Sequence, residues 1–195
     1  MVNQEKPFVS ICPESREAWR LWLQENHLSA QSVWLVYYKK DAGMPTLSWS
    51  EAVDEALCFG WIDSTKKTID KKSFMQFFSR RKPNSVWSRI NKEKVARLME
   101  ADLIAPAGYV SIEKAKQNGC WNIIDEVELL SIPEDLEAAL KSHPEAMAFF
   151  LSLSKSVRKG MLQWVVLAKR AETRQKRIQE LVVLAAQQQK PKQFR

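Results

Sequence analysis

Runs that can form β-strands are confined to the first 80 residues, and this segregation constrains the fold more than any other feature. Residues 32–40 (SVWLVYYKK) are β-branched and aromatic at both alternating positions, which is typical of a central strand covered on both faces. Two further runs, 61–69 and 73–79, flank a short polar segment and predict a β-hairpin. Beyond Ser88 the apolar positions follow helical spacing. The sequence therefore predicts an α+β protein: a small antiparallel sheet with flanking helices, followed by a helical C-terminal half.

Capping signals place helices around the central strand. Ser15 can cap a first helix, and Ser48 with Glu51 forms a capping box for a helix over about residues 49–59. Gly60 follows at the position where a left-handed residue commonly ends a helix. We therefore expect the chain to turn at Gly60 and enter the hairpin directly.

The length of 195 residues favours one domain with an appended element over two full domains. We expect an α+β domain over 1–130, a helical region packed on it over 131–186, and a flexible polar tail over 187–195. A hydrophobic content of 45% suffices for a buried core and excludes a disordered chain.

Several sequence features bear on the compartment and on bound groups. The apolar stretches are shorter than the roughly 20 residues that cross a bilayer, and the N-terminus does not resemble a signal peptide. We therefore expect a cytoplasmic protein with no membrane span. The spacing of Cys12, Cys58 and Cys120 predicts reduced, unlinked thiols and no zinc site. The sequence also has no glycine-rich phosphate loop, so neither a metal nor a cofactor is predicted.

Positive charge is concentrated in two segments. Residues 64–97 and residues 155–195 each carry a local charge of +9, although the whole chain carries +7. Such clusters can attract an anionic partner. Alternatively, they pack beside the acidic remainder of the chain and are neutralised by it.

A first candidate site lies just after Gly60. Asp63 beside Ser64 can orient a ligand hydroxyl or act as a general base, with Trp61 as a stacking surface. The alternative is structural: Trp61 belongs to the core, while Asp63 and Ser64 satisfy the amides of a turn.

A second candidate site follows the hairpin. Arg80 and Arg81 precede Ser85, Trp87 and a predicted helix, so guanidinium groups and helix N-terminal amides can together hold a phosphate or carboxylate. The alternative is that both arginines pair with acidic residues of the same protein.

Several of these segments resemble those of a known family. The segments that carry the resemblance are the run Ala56-Leu57-Cys58-Phe59-Gly60-Trp61-Ile62-Asp63-Ser64; Arg80-Arg81 with Ser85, Trp87 and Asn91; Pro106-Ala107-Gly108; Ala115-Lys116 with Gly119 and Trp121; and Ala168-Lys169-Arg170, Glu172-Thr173-Arg174 and Arg177-Ile178. Together they resemble the bacteriocin-protection, YdeI/OmpD-associated family over roughly residues 15–186. The resemblance implies a cytoplasmic bacterial protein linked to bacteriocin protection, with no implied reaction or cofactor.

Three functional hypotheses follow. The first is a non-catalytic protein that binds a small anionic ligand or a protein partner at the two candidate sites, whose residues are Trp61, Asp63, Ser64, Arg80, Arg81, Ser85 and Trp87. The second is an enzyme that uses Asp63 in acid or base chemistry. The third is a nucleic-acid-binding protein that uses basic segments 66–97 and 169–177, although no known nucleic-acid-reading motif occurs there.

Overall fold

The computed structural model describes residues 9–195, and within them the chain forms two compact units. The first unit contains the residues up to Ser85 together with Ile90–Asn118, and the second contains Val86–Arg89 with Gly119–Arg195. Within residues 9–195 we find no helix with the length and apolarity required to span a membrane.

The first unit contains the strands and the helices around them. Its elements are β1 (Ser10–Ile11), α1 (Arg16–Asn26), β2 (Ser32–Tyr38), α2 (Trp49–Cys58), β3 (Trp61–Thr68), β4 (Ser73–Arg80), α3 (Arg89–Glu100) and α4 (Pro106–Gln117). The strand order in the sheet is β1-β2-β4-β3, so the predicted central strand lies in the interior of the sheet. The predicted hairpin is confirmed as β3 and β4, and the predicted α+β class is confirmed with it.

The sheet differs from the prediction in one respect, because it is mixed rather than purely antiparallel. β2, β3 and β4 pair antiparallel as expected, whereas the short strand β1 pairs parallel with β2. The sequence of residues 7–11 predicts only a short extended segment before the first helix, and residues 7 and 8 lie outside the described part of the chain. A two-residue strand has too few positions to show an alternating pattern, so the sequence could not reveal its pairing.

The predicted helix signals are present in the first unit. The Ser15 side chain accepts a hydrogen bond from the Ala18 amide, and Ser48 with Glu51 forms the full capping box at the start of α2. Gly60 follows α2 with a φ of 71°, a backbone conformation that glycine adopts without strain. The turn at Gly60 therefore leads directly from α2 into β3.

Aromatic side chains connect α1 to one face of the sheet. Trp19 on α1 is fully buried and packs edge-on against Phe78 of β4, with ring centroids 5.5 Å apart. Trp22 packs edge-on against Trp61 of β3 at 5.8 Å. The Trp19 indole also donates a hydrogen bond to the Ala52 carbonyl, so α1, α2 and the sheet share one core.

Glycine allows α4 to approach the end of α2 closely. A Cβ atom on Gly108 would lie 2.3 Å from the Cys58 carbonyl oxygen, a separation that requires the backbone to move. Gly60 faces Ala107 of the same helix, where an added Cβ would lie 2.9 Å from the carbonyl oxygen. The segments Cys58–Trp61 and Pro106–Gly108 therefore pack against each other, and their close contact requires glycine at positions 60 and 108.

The second unit is helical. Its elements are α5 (Asp125–Glu128), α6 (Glu134–Lys141), α7 (Pro144–Ser152), α8 (Lys155–Val166) and α9 (Ala171–Ala186). Buried residues such as Leu136, Phe150, Leu162 and Leu181 form its core. The spacing of apolar residues from Val157 to Ala185 predicts either one kinked helix or two successive helices. The structure has two, α8 and α9.

The three cysteines all lie in the described part of the chain, and none forms a disulfide, as predicted. Cys58 and Cys120 are buried and Cys12 is exposed. Burial raises the pKa of the Cys58 thiol to about 11, so this thiol stays protonated near neutral pH.

Candidate functional site

A β-bulge places two oppositely charged side chains on the same face of the sheet. Asp63 pairs with Phe78 and Lys66 pairs with Gln76, and the register shifts between these two positions of β3. In a regular strand, residues three apart point to opposite faces. Because the register shift inserts an irregularity, Asp63 and Lys66 share the face that also carries Phe74.

These side chains line an open groove in the first unit. The groove has a volume of about 430 Å³ and is lined by Trp49, Asp63, Lys66, Phe74 and Gln76. Trp49 is the first residue of α2 and is 49% exposed, so one face of the groove is a partly accessible indole. The volume lies within the range of small-molecule sites.

Asp63 is held in place by two neutral donors. Its Oδ2 atom accepts a hydrogen bond from the Trp49 indole Nε1 and another from the Gln76 side-chain Nε2, each 3.0 Å long. Its second oxygen, Oδ1, makes no hydrogen bond to any residue from 9 to 195. One carboxylate oxygen therefore remains available to a ligand.

The amide of Gln76 has a defined orientation. Its Nε2 atom donates to Asp63 Oδ2 and, at 2.9 Å, to the Ser64 carbonyl. Both partners are acceptors, so only the nitrogen of the amide can face them. Gln76 Oε1 is thereby left as a second acceptor, and no described residue donates to it.

Lys66 and the aromatic rings complete the groove. The Lys66 ammonium lies 4.0 Å from the centre of the Phe74 ring, in cation–π contact. Phe74 also stacks on Tyr37 of β2, with ring centroids 4.9 Å apart and an interplanar angle of 7°. Burial, together with the negative charge of Asp63, raises the pKa of Tyr37. The Tyr37 hydroxyl therefore remains protonated, and it has no hydrogen-bond partner in the described chain.

The sequence-predicted site residues do not all contribute to this groove. Asp63 lines it, and Ser64 contributes its carbonyl to the position of Gln76. Trp61 is fully buried and donates its indole N–H to the His27 carbonyl, so it is not a stacking surface. The aromatic residue beside Asp63 is Trp49 instead.

The two arginines that follow the hairpin are engaged differently. Arg80 donates from Nε to the Ala30 carbonyl at 2.8 Å and from Nη2 to the Leu28 carbonyl. Its guanidinium thus holds the segment between α1 and β2. Burial lowers the pKa of Arg81 to about 9, and the negative charge of Asp63 opposes this shift.

Ser85 and Trp87 are not among the residues that line the groove. The Ser85 hydroxyl accepts a hydrogen bond from the Lys82 amide, which closes a local turn. Trp87 is buried in the second unit, where its ring lies 5.0 Å from that of Trp121. The proposed anion-binding role of Arg80, Arg81 and Ser85 stays a prediction.

A second group of acidic residues in the first unit is fully paired. Glu55 on α2 is 2% exposed and forms ion pairs with Arg16 at 2.5 Å and Arg20 at 2.6 Å. Asp54 pairs with Lys94 and Arg97 of α3, each at 2.5 Å. Part of the basic segment 64–97 is therefore neutralised by α2.

Arginines of the C-terminal basic segment hold the end of α8. Arg174 binds Asp135 through two hydrogen bonds of 2.6 and 2.8 Å and donates to the Val165 carbonyl. Arg177 donates to the Trp164 carbonyl and lies over the Trp164 ring. These arginines therefore satisfy carbonyls that the end of a helix leaves unpaired.

Sequence reasoning identified Asp63 but missed Trp49, Lys66, Phe74 and Gln76. Trp49 is close to Asp63 because α2 packs along the strand that follows it, which is a tertiary relation. A polar glutamine in the run SFMQFFS was the available signal, because a polar residue inside a buried strand needs partners. The sequence contains no pattern that predicts the β-bulge, which brings Lys66 to the same face of the sheet as Asp63.

The fold and the groove define an α+β protein with a polar groove on one face of a mixed sheet. The chain belongs to the family described as a domain of unknown function (DUF8412), whose model matches residues 11–111. Residues 130–188 match the model of the family described as Bacteriocin-protection, YdeI or OmpD-Associated. The predicted resemblance is thus confirmed, over a shorter part of the chain than the motifs indicated. No curated protein and no solved structure matches the sequence significantly.

Proposed function

We propose that this protein is a non-catalytic binding protein that takes a small polar ligand in the groove beside Asp63. The observation that carries the proposal is the Asp63 carboxylate in the groove, whose Oδ2 is fixed by Trp49 and Gln76 while Oδ1 receives no hydrogen bond from a described residue. Polar groups held by neighbours, next to an accessible aromatic ring, are the usual composition of a small-molecule site. Lys66 adds a positive charge that suits an anionic group on the ligand.

The composition of the groove favours binding over catalysis. Its described lining residues include no hydroxyl, thiol or imidazole that could serve as a nucleophile or as a proton relay to Asp63. The Asp63 carboxylate is oriented by two donors but has no catalytic partner among them. Binding of a ligand requires only that the Asp63 carboxylate is held in a defined orientation, without a catalytic partner.

A small ligand also fits the charges better than a nucleic acid does. Several cations of the two basic segments are engaged within the protein: Lys94 and Arg97 with Asp54, Arg80 with backbone carbonyls, and Arg174 with Asp135. Neutralised or capping cations contribute little to phosphate binding. The match of residues 130–188 to the bacteriocin-protection family supports a link to that protection.

The proposal can be tested with the indole N–H signals in a two-dimensional ¹⁵N spectrum. Trp49→Phe identifies the Trp49 signal, which reports directly on the bond to Asp63. Benzoate, benzylammonium and L-phenylalanine are then added separately, as an anion, a cation and a molecule with both charges. We expect at least one of them to shift the Trp49 signal in a saturable manner. Asp63→Asn should weaken the binding of a compound that carries an ammonium, so that a higher concentration is needed for the same shift.

Trp164 provides the internal control, because it belongs to the second unit and lies against Phe194 there. Its signal should stay in place throughout the titrations. The proposal is wrong if none of the three compounds shifts the Trp49 signal, or if an ammonium compound that shifts it binds Asp63→Asn as tightly as it binds the wild type.

A further inference from the structure

We infer that the ligand of the groove is a free α-amino acid with an apolar side chain, an inference that rests on the proposed function of the same groove. Three features of the groove lining support it: the Asp63 carboxylate with the Gln76 amide, the Lys66 ammonium, and the partly exposed Trp49 indole. Each feature corresponds to one part of an amino acid.

The acceptor side of the groove suits the ammonium of the ligand. Asp63 Oδ1 and Gln76 Oε1 both accept, and one of them carries negative charge. An ammonium has three N–H donors and a positive charge, so it matches a charged acceptor that lies beside a neutral one. A hydroxyl has one donor and can satisfy only one of them.

The opposite charge in the groove suits the carboxylate of the ligand. The Lys66 ammonium lines the same groove and forms no ion pair with any described residue. Its contact with Phe74 holds it beside the ring, with donors available to a ligand oxygen. The bulge in β3 therefore places a carboxylate and an ammonium on the same face of the sheet.

These opposite charges discriminate between classes of ligand. A simple amine that approaches Asp63 meets the repulsion of Lys66, and a simple carboxylate that approaches Lys66 meets the repulsion of Asp63. A zwitterion is attracted by both. The side chain of the amino acid then lies against the Trp49 indole, which is 49% exposed. Only a free α-amino acid carries both charges on adjacent groups of the same carbon, so a peptide terminus is a poor match.

Titration calorimetry with four compounds tests the inference. L-phenylalanine has both charges, N-acetyl-L-phenylalanine lacks the ammonium, L-phenylalaninamide lacks the carboxylate, and glycine lacks the side chain. We expect L-phenylalanine to bind most tightly, with each of the other three at least about tenfold weaker, because each loses one charged or apolar contact.

Two variants make the test reciprocal. Asp63→Asn should reduce the preference for L-phenylalanine over N-acetyl-L-phenylalanine, because the ammonium loses its charged acceptor. Lys66→Met should reduce the preference for L-phenylalanine over L-phenylalaninamide, because the carboxylate of the ligand loses its cationic partner. Lys67→Met is the matched control: Lys67 is the next residue of β3, but its ammonium lies over Trp34 on the opposite face of the sheet. It should bind all four compounds as the wild type does.

The outcomes separate the inference from the proposed function. If either capped derivative binds as tightly as L-phenylalanine, zwitterion recognition is wrong while the groove remains a binding site. If glycine binds as tightly, the apolar part of the inference is wrong. If benzoate, benzylammonium and all four compounds fail to bind, the proposed function itself is overturned. A fully reciprocal pattern in the two variants supports the inference.

Discussion

The first unit contains two groups of acidic side chains that differ in what surrounds them. Asp54 and Glu55 on α2 are each bound by two cationic side chains, at distances of 2.5 to 2.6 Å. Asp63 on β3 is bound by an indole and an amide, both on the same oxygen. The first group is saturated by charge, whereas the second is oriented by neutral donors and keeps an open oxygen.

This difference indicates how a structural acid and a ligand-binding acid can be separated without knowledge of the ligand. A buried carboxylate needs compensation, and α2 receives it from Arg16, Arg20, Lys94 and Arg97. Asp63 lies within the electrostatic reach of Arg81, but the hydrogen bonds that fix its side chain come from neutral donors, and it also lines the open groove. Four predictions test this distinction.

The largest effect is expected for Glu55→Ala. It leaves Arg16 and Arg20 without their acceptor at a site where Glu55 is 2% exposed, and we expect a loss of about 3 kcal/mol in the free energy of unfolding. Urea unfolding measures it. Glu113→Ala is the control, because Glu113 pairs with Lys116 at the surface and should cost less than about 1 kcal/mol. Equal losses in the two variants would contradict a structural role for Glu55.

The two cations of Asp54 should differ in importance. The Lys94 side chain is 12% exposed and also donates to the Ser50 hydroxyl and carbonyl, whereas the Arg97 side chain is 63% exposed. We expect Lys94→Met to cost about 1 to 3 kcal/mol of unfolding free energy and Arg97→Met less than about 1 kcal/mol. Thermal or urea unfolding of both variants decides the order. A larger loss of unfolding free energy in Arg97→Met than in Lys94→Met would contradict the expectation that the more buried ion pair contributes more to stability.

Asp135 in the second unit is an intermediate case, since it has a cationic partner but is partly exposed. Its hydrogen bonds with Arg174 hold the pKa of Asp135 below its ordinary value. A lowered folded-state pKa means that the stabilisation is present above the unfolded-state pKa of about 3.9 and is lost as the pH falls through the folded-state pKa. We expect less than about 1 kcal/mol, because the pair is exposed.

The comparison of wild type with Asp135→Asn checks this pH dependence. The wild type should be the more stable protein at neutral pH, and its advantage should shrink once the pH falls below about 4. If the stability difference in favour of the wild type increases as the pH falls, the pKa of Asp135 is not lowered by folding and this prediction is wrong.

Local signals in the sequence sufficed for most of the fold. The capping box at Ser48, the glycine after α2 and the hairpin are set by neighbouring residues, and they appear as predicted. The parallel pairing of β1 depends on a contact with β2, and a strand of two residues is too short to show a sequence pattern that predicts it. The same limit applied to the groove: Asp63 was identified from its own position, but its partners come from α2 and β4 and across a bulge.

The smallest effect on stability, and the most direct test of the comparison, is expected for Asp63→Asn. The substitution keeps an oxygen that can accept from Trp49 and Gln76, removes the charge, and replaces the oxygen that has no hydrogen bond with an amide nitrogen. Urea unfolding of this variant, measured beside Glu55→Gln, should show a change within about 0.5 kcal/mol for Asp63→Asn and a clearly larger loss for Glu55→Gln. If Asp63→Asn loses as much unfolding free energy as Glu55→Gln, then Asp63 is a structural acid like those of α2, and the distinction between the two groups fails.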